Sequence, residues 1–291
     1  MNPRISVVIP VWNGETRIAA TLDALAGQTA SGDLFEVIVV DNGSTDSTVD
    51  IVSRYPFATL LSEREPGSYR ARNRGVAAAR GEYILFTDGD CIPVPEWVEE
   101  ALKEINKNPN VGIWAGQIKM FMEPGAAFFS ARYENLINGF NQKENTQAGR
   151  CVTANWLCRR DTLVALGGFD DAALSGGDVD CSNRFVTSGY LLSYAPSMIV
   201  GHPTRANLFE LARKRRRVLG GRWKLRGISQ KGVIKGGAML TRESLSHAKW
   251  VKRSNIEGWA KPGVAMIILF LLFVSYYELL RLAAGRPPYR A

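Results

Sequence analysis

Two carboxylates stand one residue apart in the stretch TDGDC at residues 87–91: Asp88 and Asp90, with only Gly89 between them. In an extended segment side chains alternate, so residues i and i+2 face the same way and both acids can meet one ligand. The glycine lets the backbone bend there without a Cβ in the way. Paired carboxylate oxygens suit Mg2+ or Mn2+, ions held by one or two acids and completed by water and substrate phosphate. The same five residues read equally as a tight turn, where Asp and Gly are common.

The elements that must position these acids are legible on either side. ISVVIPV, FEVIVVD, ATLLS and EYILFTD are short β-branched runs; TRIAATLDALAGQ, STVDIVSRY, YRARNRGVAAAR and PEWVEEALKEINK are the helical patterns that follow them in turn. Continuous apolar strands between helices specify a parallel sheet covered on both faces, an open, doubly wound α/β layer. Ligands bind such sheets at the carboxyl ends of the strands, which makes Asn13, Asp41, Asp88 and Asp90 the first site candidates. Neither GxGxxG nor GxxxxGK followed by Ser or Thr occurs, so the two commonest phosphate loops are absent. Beyond residue 111 the alternation fades. VGIWAGQI and CVTANWLCRR read as strands, AAFFSARYENLINGF and DVDCSNRFVTSGY as helices, NQKENTQAGR as a polar loop, and LLSYAPSMIVGH as two short extended runs.

A chain of 291 residues with 46% apolar content supports a real core, which excludes disorder. Its net charge of +8 is unevenly spread. Residues 205–253 hold 15 Lys/Arg against two acids and residues 254–291 four against two, which leaves residues 1–204 at −7. The organisation expected is one mixed domain over 1–204, a basic membrane-proximal segment over 205–261 and an apolar helix over 262–284. Cys91, Cys151, Cys158 and Cys181 form no CxxC pair, and the N-terminus lacks the pattern of a signal peptide. They read as reduced thiols of a cytosolic domain.

Four stretches, in order, carry a family resemblance: SVVIPVWNGE, VIVVDNGSTDST, ARNRGVAAARGEYILFTDGD and GGFDDAALSGGDVD. Across about 200 residues the chain resembles the family 2 glycosyltransferases of membrane-associated bacterial type, which use nucleotide-diphosphate sugars. The resemblance implies the GT-A fold, a Rossmann-like, mostly parallel sheet, here followed by a basic helical segment and an apolar tail helix. It implies that Pro10, Trp12 and Asn13 line the nucleotide pocket, with the aromatic on the base, that Asp41 bonds the base and that Arg72 helps hold the nucleotide. Asp88 and Asp90 match the DxD pair that meets the ribose and the metal-bound diphosphate, Asp178 falls where the family places its catalytic base, and His202 where many members have a further metal ligand. Many members have Glu-Asp at the base position, whereas this chain has Gly177-Asp178.

The implied reaction is an inverting transfer, with Mg2+ or Mn2+ assisting the leaving diphosphate and Asp178 removing the acceptor's proton. By residue type alone Asp178 reads as a helix cap and Asp180–Arg184 as an ordinary i,i+4 pair. His202 alone reads as a structural histidine, and His247 as surface.

The run RKRRRVLGGRWKLRG at 213–227 matches clustered phosphate-binding basics, but no nucleic-acid motif accompanies it and no nucleic-acid partner is expected. Residues 262–277 carry no charge, and at about 1.5 Å per residue they reach roughly 24 Å, short of a ~30 Å hydrocarbon core; Glu278 and Arg281 interrupt any extension. A short tilted span, an interfacial helix and a soluble core helix all remain open. Trp250, Trp259, Tyr276 and Tyr277 resemble interfacial aromatics, and a basic run beside an apolar tail suits an anionic membrane surface. The expected location is the cytoplasmic face of the membrane, and the implied acceptor a lipid-linked saccharide of polysaccharide synthesis. A polyprenyl-phosphate acceptor, which needs no base, is the enzymatic alternative; a membrane protein that binds nucleotide sugars without turnover is the other.

Overall fold

The computed structural model describes residues 2–108, 110–137, 140–225 and 228–289. Asn138 and Gly139, near the end of the helix expected over 126–140, and Arg226 and Gly227 of the basic run lie outside the described residues. In chain order the elements are β1 (Ile5–Val11), α1 (Ile18–Ala26), β2 (Phe35–Asp41), α2 (Thr48–Val52), β3 (Ala58–Ser62), α3 (Ser68–Ala78), β4 (Tyr83–Thr87), β5 (Ile92–Pro93) and α4 (Trp97–Lys107). They continue with β6 (Val111–Phe121), α5 (Phe128–Ile137), α6 (Gln142–Gln147), β7 (Asn155–Arg159), α7 (Arg160–Ala165), α8 (Gly177–Thr187) and β8 (Leu191–Pro203), and end with α9 (Leu208–Leu225), α10 (Ile228–Arg253) and α11 (Ala260–Ala283).

Two compact units result, the first built from residues 1–119, 139–173 and 177–202 and the second from 120–138, 174–176 and 203–291. The first holds the sheet, whose order is β3-β2-β1-β4-β7-β6-β8-β5. β3, β2, β1 and β4 run parallel, as the alternating pattern specifies, and β7 continues the sheet antiparallel to β4. The continuous apolar runs are explained by burial on both faces. Ile5, Val7 and Ile9 of β1, Val37 and Val39 of β2 and Leu85 of β4 enter one core layer, while Val8, Ile38, Val40, Ile84 and Phe86 enter the other. α3 lies close on the second layer because its position 75 is glycine: a Cβ there would stand 2.4 Å from a methyl of Val8.

Two expectations need correction. NQKENTQAGR is not a plain loop: it contains α6, whose cap Asn141 accepts the backbone N–H of Glu144 at 3.2 Å. LLSYAPSMIVGH belongs to one strand, β8, of 13 residues.

The second unit contains α5, α9, α10 and α11. Val264, Ile267, Ile268 and Leu271 of α11 join Tyr133 of α5, Leu211 of α9 and Val251 of α10 in one apolar cluster, and Leu279 and Leu282 join Leu219 and Leu240 in another. Helix α11 is longer than the uncharged run, at 24 residues, because Glu278 is accommodated inside it. That carboxylate is fully buried and accepts hydrogen bonds from Arg216 (2.8 Å) and Arg281. Tyr276 points into the bundle, its hydroxyl on the Gly237 carbonyl at 3.0 Å. The opposite side of α11 exposes Met266, Leu269, Phe273, Tyr277 and Leu280, three or four residues apart.

Candidate active site

The carboxyl ends of β1, β2 and β4 lie side by side on one edge of the parallel sheet, and three loops leave from there. After β1, Trp12 is 53% exposed, Pro10 is half-buried, and Asn13 takes a left-handed backbone (φ 49°), the one non-glycine to do so among the described residues. Asn and Asp tolerate that conformation because their short polar side chains bond locally. Here the Asn13 amide oxygen accepts the Thr45 N–H at 2.8 Å, and the Asn13 N–H donates to Ser44 Oγ at 2.8 Å, so the β1 loop is fastened to the β2 loop. Asp41, at the end of β2, is buried and accepts the backbone N–H groups of Gly43 and Ser44, each at 3.2 Å, which closes a side-chain turn.

Past β4 the turn reading of TDGDC is met, and the turn leaves both acids presented together. The Cys91 N–H donates to the Asp88 carbonyl at 3.1 Å, closing a turn, and that turn presents Asp88 and Asp90 with about a third of each side chain exposed. Arg72 of α3 is 5% exposed and donates from Nη2 to Asp88 Oδ1 at 2.5 Å. His202, near the end of β8, is buried with its ring 4.5 Å from that of Phe140 and its Nε2 4.0 Å from Asp90 Oδ1. One ligand atom from each of Asp88, Asp90, Cys91 and His202 lies within 4.8 Å of the others. Two carboxylates and an imidazole at that spacing fit a hard divalent ion such as Mn2+ or Mg2+. Burial, with the negative charges of Asp90 and Asp88 beside it, pushes the Cys91 thiol well above its ordinary pKa.

Asp178 sits in the first turn of α8. Its Oδ1 accepts the Val179 N–H at 2.9 Å and the Tyr69 hydroxyl at 3.1 Å. Burial raises its pKa against the opposing effects of the Val179 N–H, the Arg72 charge and Tyr69. The Asp180–Arg184 pair is present at 3.2 Å. Its neighbour loop is tied to α3 by Asn73, whose amide donates to the Phe169 carbonyl and to Asp171, both at 2.7 Å.

Helix α3 therefore reaches Asp88 with Arg72 and Asp178 with Tyr69. Tyr69, Asn73 and Phe140 were not among the residues singled out from the sequence. The available signal for Tyr69 was its spacing of three from Arg72, which puts both on one helix face. His247 is half-buried rather than a surface group, and burial holds its pKa down.

Residues 6–167 match the profile of Glycosyl transferase family 2. The chain is similar to Glycosyltransferase AglE of Haloferax volcanii, 34% identical over 240 residues that cover 80% of this chain and 78% of that one. It is also similar to the Pre-mycofactocin glycosyltransferase of Mycobacterium tuberculosis, 30% identical over 72% of this chain but only 45% of that longer protein. Among solved structures, the mannosyltransferase PcManGT from Pyrobaculum calidifontis, in complex with GDP-Man and Mn2+, superposes with a TM-score of 0.57 at 21% identity over 98% of this chain and 76% of that chain. TarS residues 1–349 of S. aureus, in complex with UDP-GlcNAc, gives 0.56 at 18% identity over 98% and 93%. These likenesses show the GT-A fold.

Proposed function

The chain belongs to glycosyl transferase family 2 and is a glycosyltransferase, and from that premise we propose that it moves a sugar from a nucleotide-diphosphate sugar to a hydroxyl of a lipid-linked saccharide, with inversion. The observation that carries the reading is the gathering of Asp88, Asp90 and His202 ligand atoms within 4.8 Å at the sheet edge where β1 and β2 also end. Trp12, exposed at that edge, offers a face for the base; Pro10, Asn13 and Asp41 complete the nucleotide pocket, and Arg72 holds Asp88 while adding positive charge beside the diphosphate. Asp88, Asp90 and His202 would hold Mn2+ or Mg2+, which when bound supplies charge neutralisation to the departing diphosphate.

Asp178 takes the acceptor's proton as the new glycosidic bond forms and the bond from the anomeric carbon to the diphosphate oxygen breaks. Burial raises its pKa, which makes it a stronger base for that task than an exposed carboxylate.

Membrane attachment belongs to the same proposal. Helix α11 has 24 residues, about 36 Å of helix, and is apolar enough to cross a bilayer by length and composition. Its exposed row from Met266 to Leu280, together with exposed Trp250 and Trp259, supports contact with lipid. Nucleotide sugars are cytosolic, so the sheet unit works at the cytoplasmic face, where lipid-linked acceptors are within reach.

A panel of nucleotide sugars tests the reading. One donor should release its nucleoside diphosphate in the presence of Mn2+ or Mg2+, with the rate lost on chelation; a flat panel with both ions would remove the donor assignment.

A further inference from the structure

We infer that Tyr69 is the positioning residue of Asp178 and that Gly177 is glycine because the Tyr69 ring occupies the space of its side chain. The inference rests on the reading of Asp178 as the base. In the family resemblance the residue before the base is often a second acid; here it is glycine, and the phenol stands in the vacated place. A Cβ at position 177 would lie 2.9 Å from Tyr69 Cε2, 3.0 Å from Cδ2 and 3.1 Å from Cγ, closer than packed carbons approach. The ring cannot easily yield. It is buried, tilted against Phe169 at 5.6 Å between centroids, and covered by the Arg72 guanidinium at 5.5 Å. The Arg72 group is itself bonded to Asp88. One turn of α3 thus sets the orientation of the base and of the first DxD acid together.

The hydrogen bonds decide which oxygen works. The Tyr69 hydroxyl and the Val179 N–H both donate to Oδ1 of Asp178. Oδ2 is left to take the proton of the incoming hydroxyl, whose oxygen bonds the anomeric carbon while the diphosphate leaves with the electron pair. A hydroxyl donated to a carboxylate favours the charged form. Tyr69 therefore works against burial and keeps Asp178 ionised at lower pH. Among the described residues, the Arg72 guanidinium and the thiols of Cys151 and Cys181 also face Asp178, both thiols pushed upward by burial. With Mn2+ held at saturation across the range, so that loss of the ion from Asp88, Asp90 and His202 does not intervene, Asp178 shapes the acid limb of the rate profile.

The test is the pH profile of kcat/KM for nucleoside-diphosphate release, on whichever nucleotide sugar the panel selects, for wild type, Tyr69→Phe, Gly177→Ala, the double variant and Asp178→Asn. Tyr69→Phe keeps the ring and so the fold, which thermal melting verifies. Its acid limb moves up by about one pH unit, the size of one lost charge-assisted hydrogen bond. Gly177→Ala forces the start of α8 and the ring apart, lengthens the Tyr69–Asp178 bond and moves the limb in the same direction, and the double variant moves it no further than Tyr69→Phe alone. An inactive Asp178→Asn combined with an unmoved limb in Tyr69→Phe overturns the inference and leaves the base reading standing. Asp178→Asn turning over at the wild-type rate overturns the base reading, and the inference with it.

Discussion

The buried acids of the helical unit and the site acids of the sheet unit are treated in opposite ways. In the helical unit Glu134 meets Arg205 at 2.6 Å and Lys214 at 2.8 Å, Glu243 meets Arg215 and Arg222, and Glu278 meets Arg216 and Arg281, two cations to each carboxylate. In the sheet unit the Arg72 guanidinium bonds Asp88 and acts by its charge on Asp178 as well, one cation serving two acids among the described residues. A matched carboxylate is finished structure, because its desolvation is offset by its partners. An undermatched one at a strand end still has room for a cation, or for a proton. The comparison also changes the meaning of the basic segment. Lys214, Arg215, Arg216 and Arg222 are spent on internal acids, so the charge of residues 205–253 overstates what that segment offers to a partner.

The contrast can be broken at either end. The largest effect expected is that of Asp178→Asn, about a thousandfold loss of turnover with the fold intact, read as nucleoside-diphosphate release and as an unchanged melting curve. Next, Glu134→Ala strips the shared acid from Arg205 and Lys214 and leaves two cations crowded together, which costs about 3 kcal/mol in denaturant unfolding while turnover per folded molecule stays the same. That acid also has a pH signature. Burial works against its ionisation, but Lys214 and Arg205 outweigh it and hold its folded pKa at about 2 against 4.5 when unfolded. The stability it supplies is full above pH 4.5 and drains away as pH falls toward 2; a melting temperature that is flat across that window in wild type would contradict the assignment. Asp90→Asn comes third, with about a hundredfold loss of kcat/KM that added Mn2+ partly restores. The smallest change is expected on the outer row of α11: Phe273→Ser weakens flotation with phosphatidylglycerol vesicles by about tenfold, and no change there would take Phe273 out of the lipid contact.

How much of this was legible depends on the range over which each signal acts. β1, β2 and β4 are buried on both faces and therefore write themselves as apolar runs, while β3, at the edge of the sheet, is only partly covered; that is why the parallel half of the sheet and its loop acids stood out. The polar helix α6 has no apolar period; only Asn141 three residues ahead of Glu144 marked it, as a cap. Asp88 and Asp90 announce themselves by spacing, whereas His202 was singled out only through the family motifs. Tyr69 and Asp178 meet across 109 positions of sequence, and no local pattern records such a bond. The same holds for Glu278, which read as an interruption of the apolar run until Arg216, 62 positions away, was found beside it.

The central claim is that the undermatched acids of the sheet unit await a divalent ion while the matched acids of the helical unit do not. Calorimetric titration of Mn2+ into the chain, in the presence of a nucleoside diphosphate, measures it directly. The account predicts one Mn2+ per chain, bound much more weakly in Asp90→Asn, less so in His202→Ala and untouched in Glu243→Gln. Equal Mn2+ binding by wild type and Asp90→Asn, or loss of binding in Glu243→Gln with the fold intact, would contradict it.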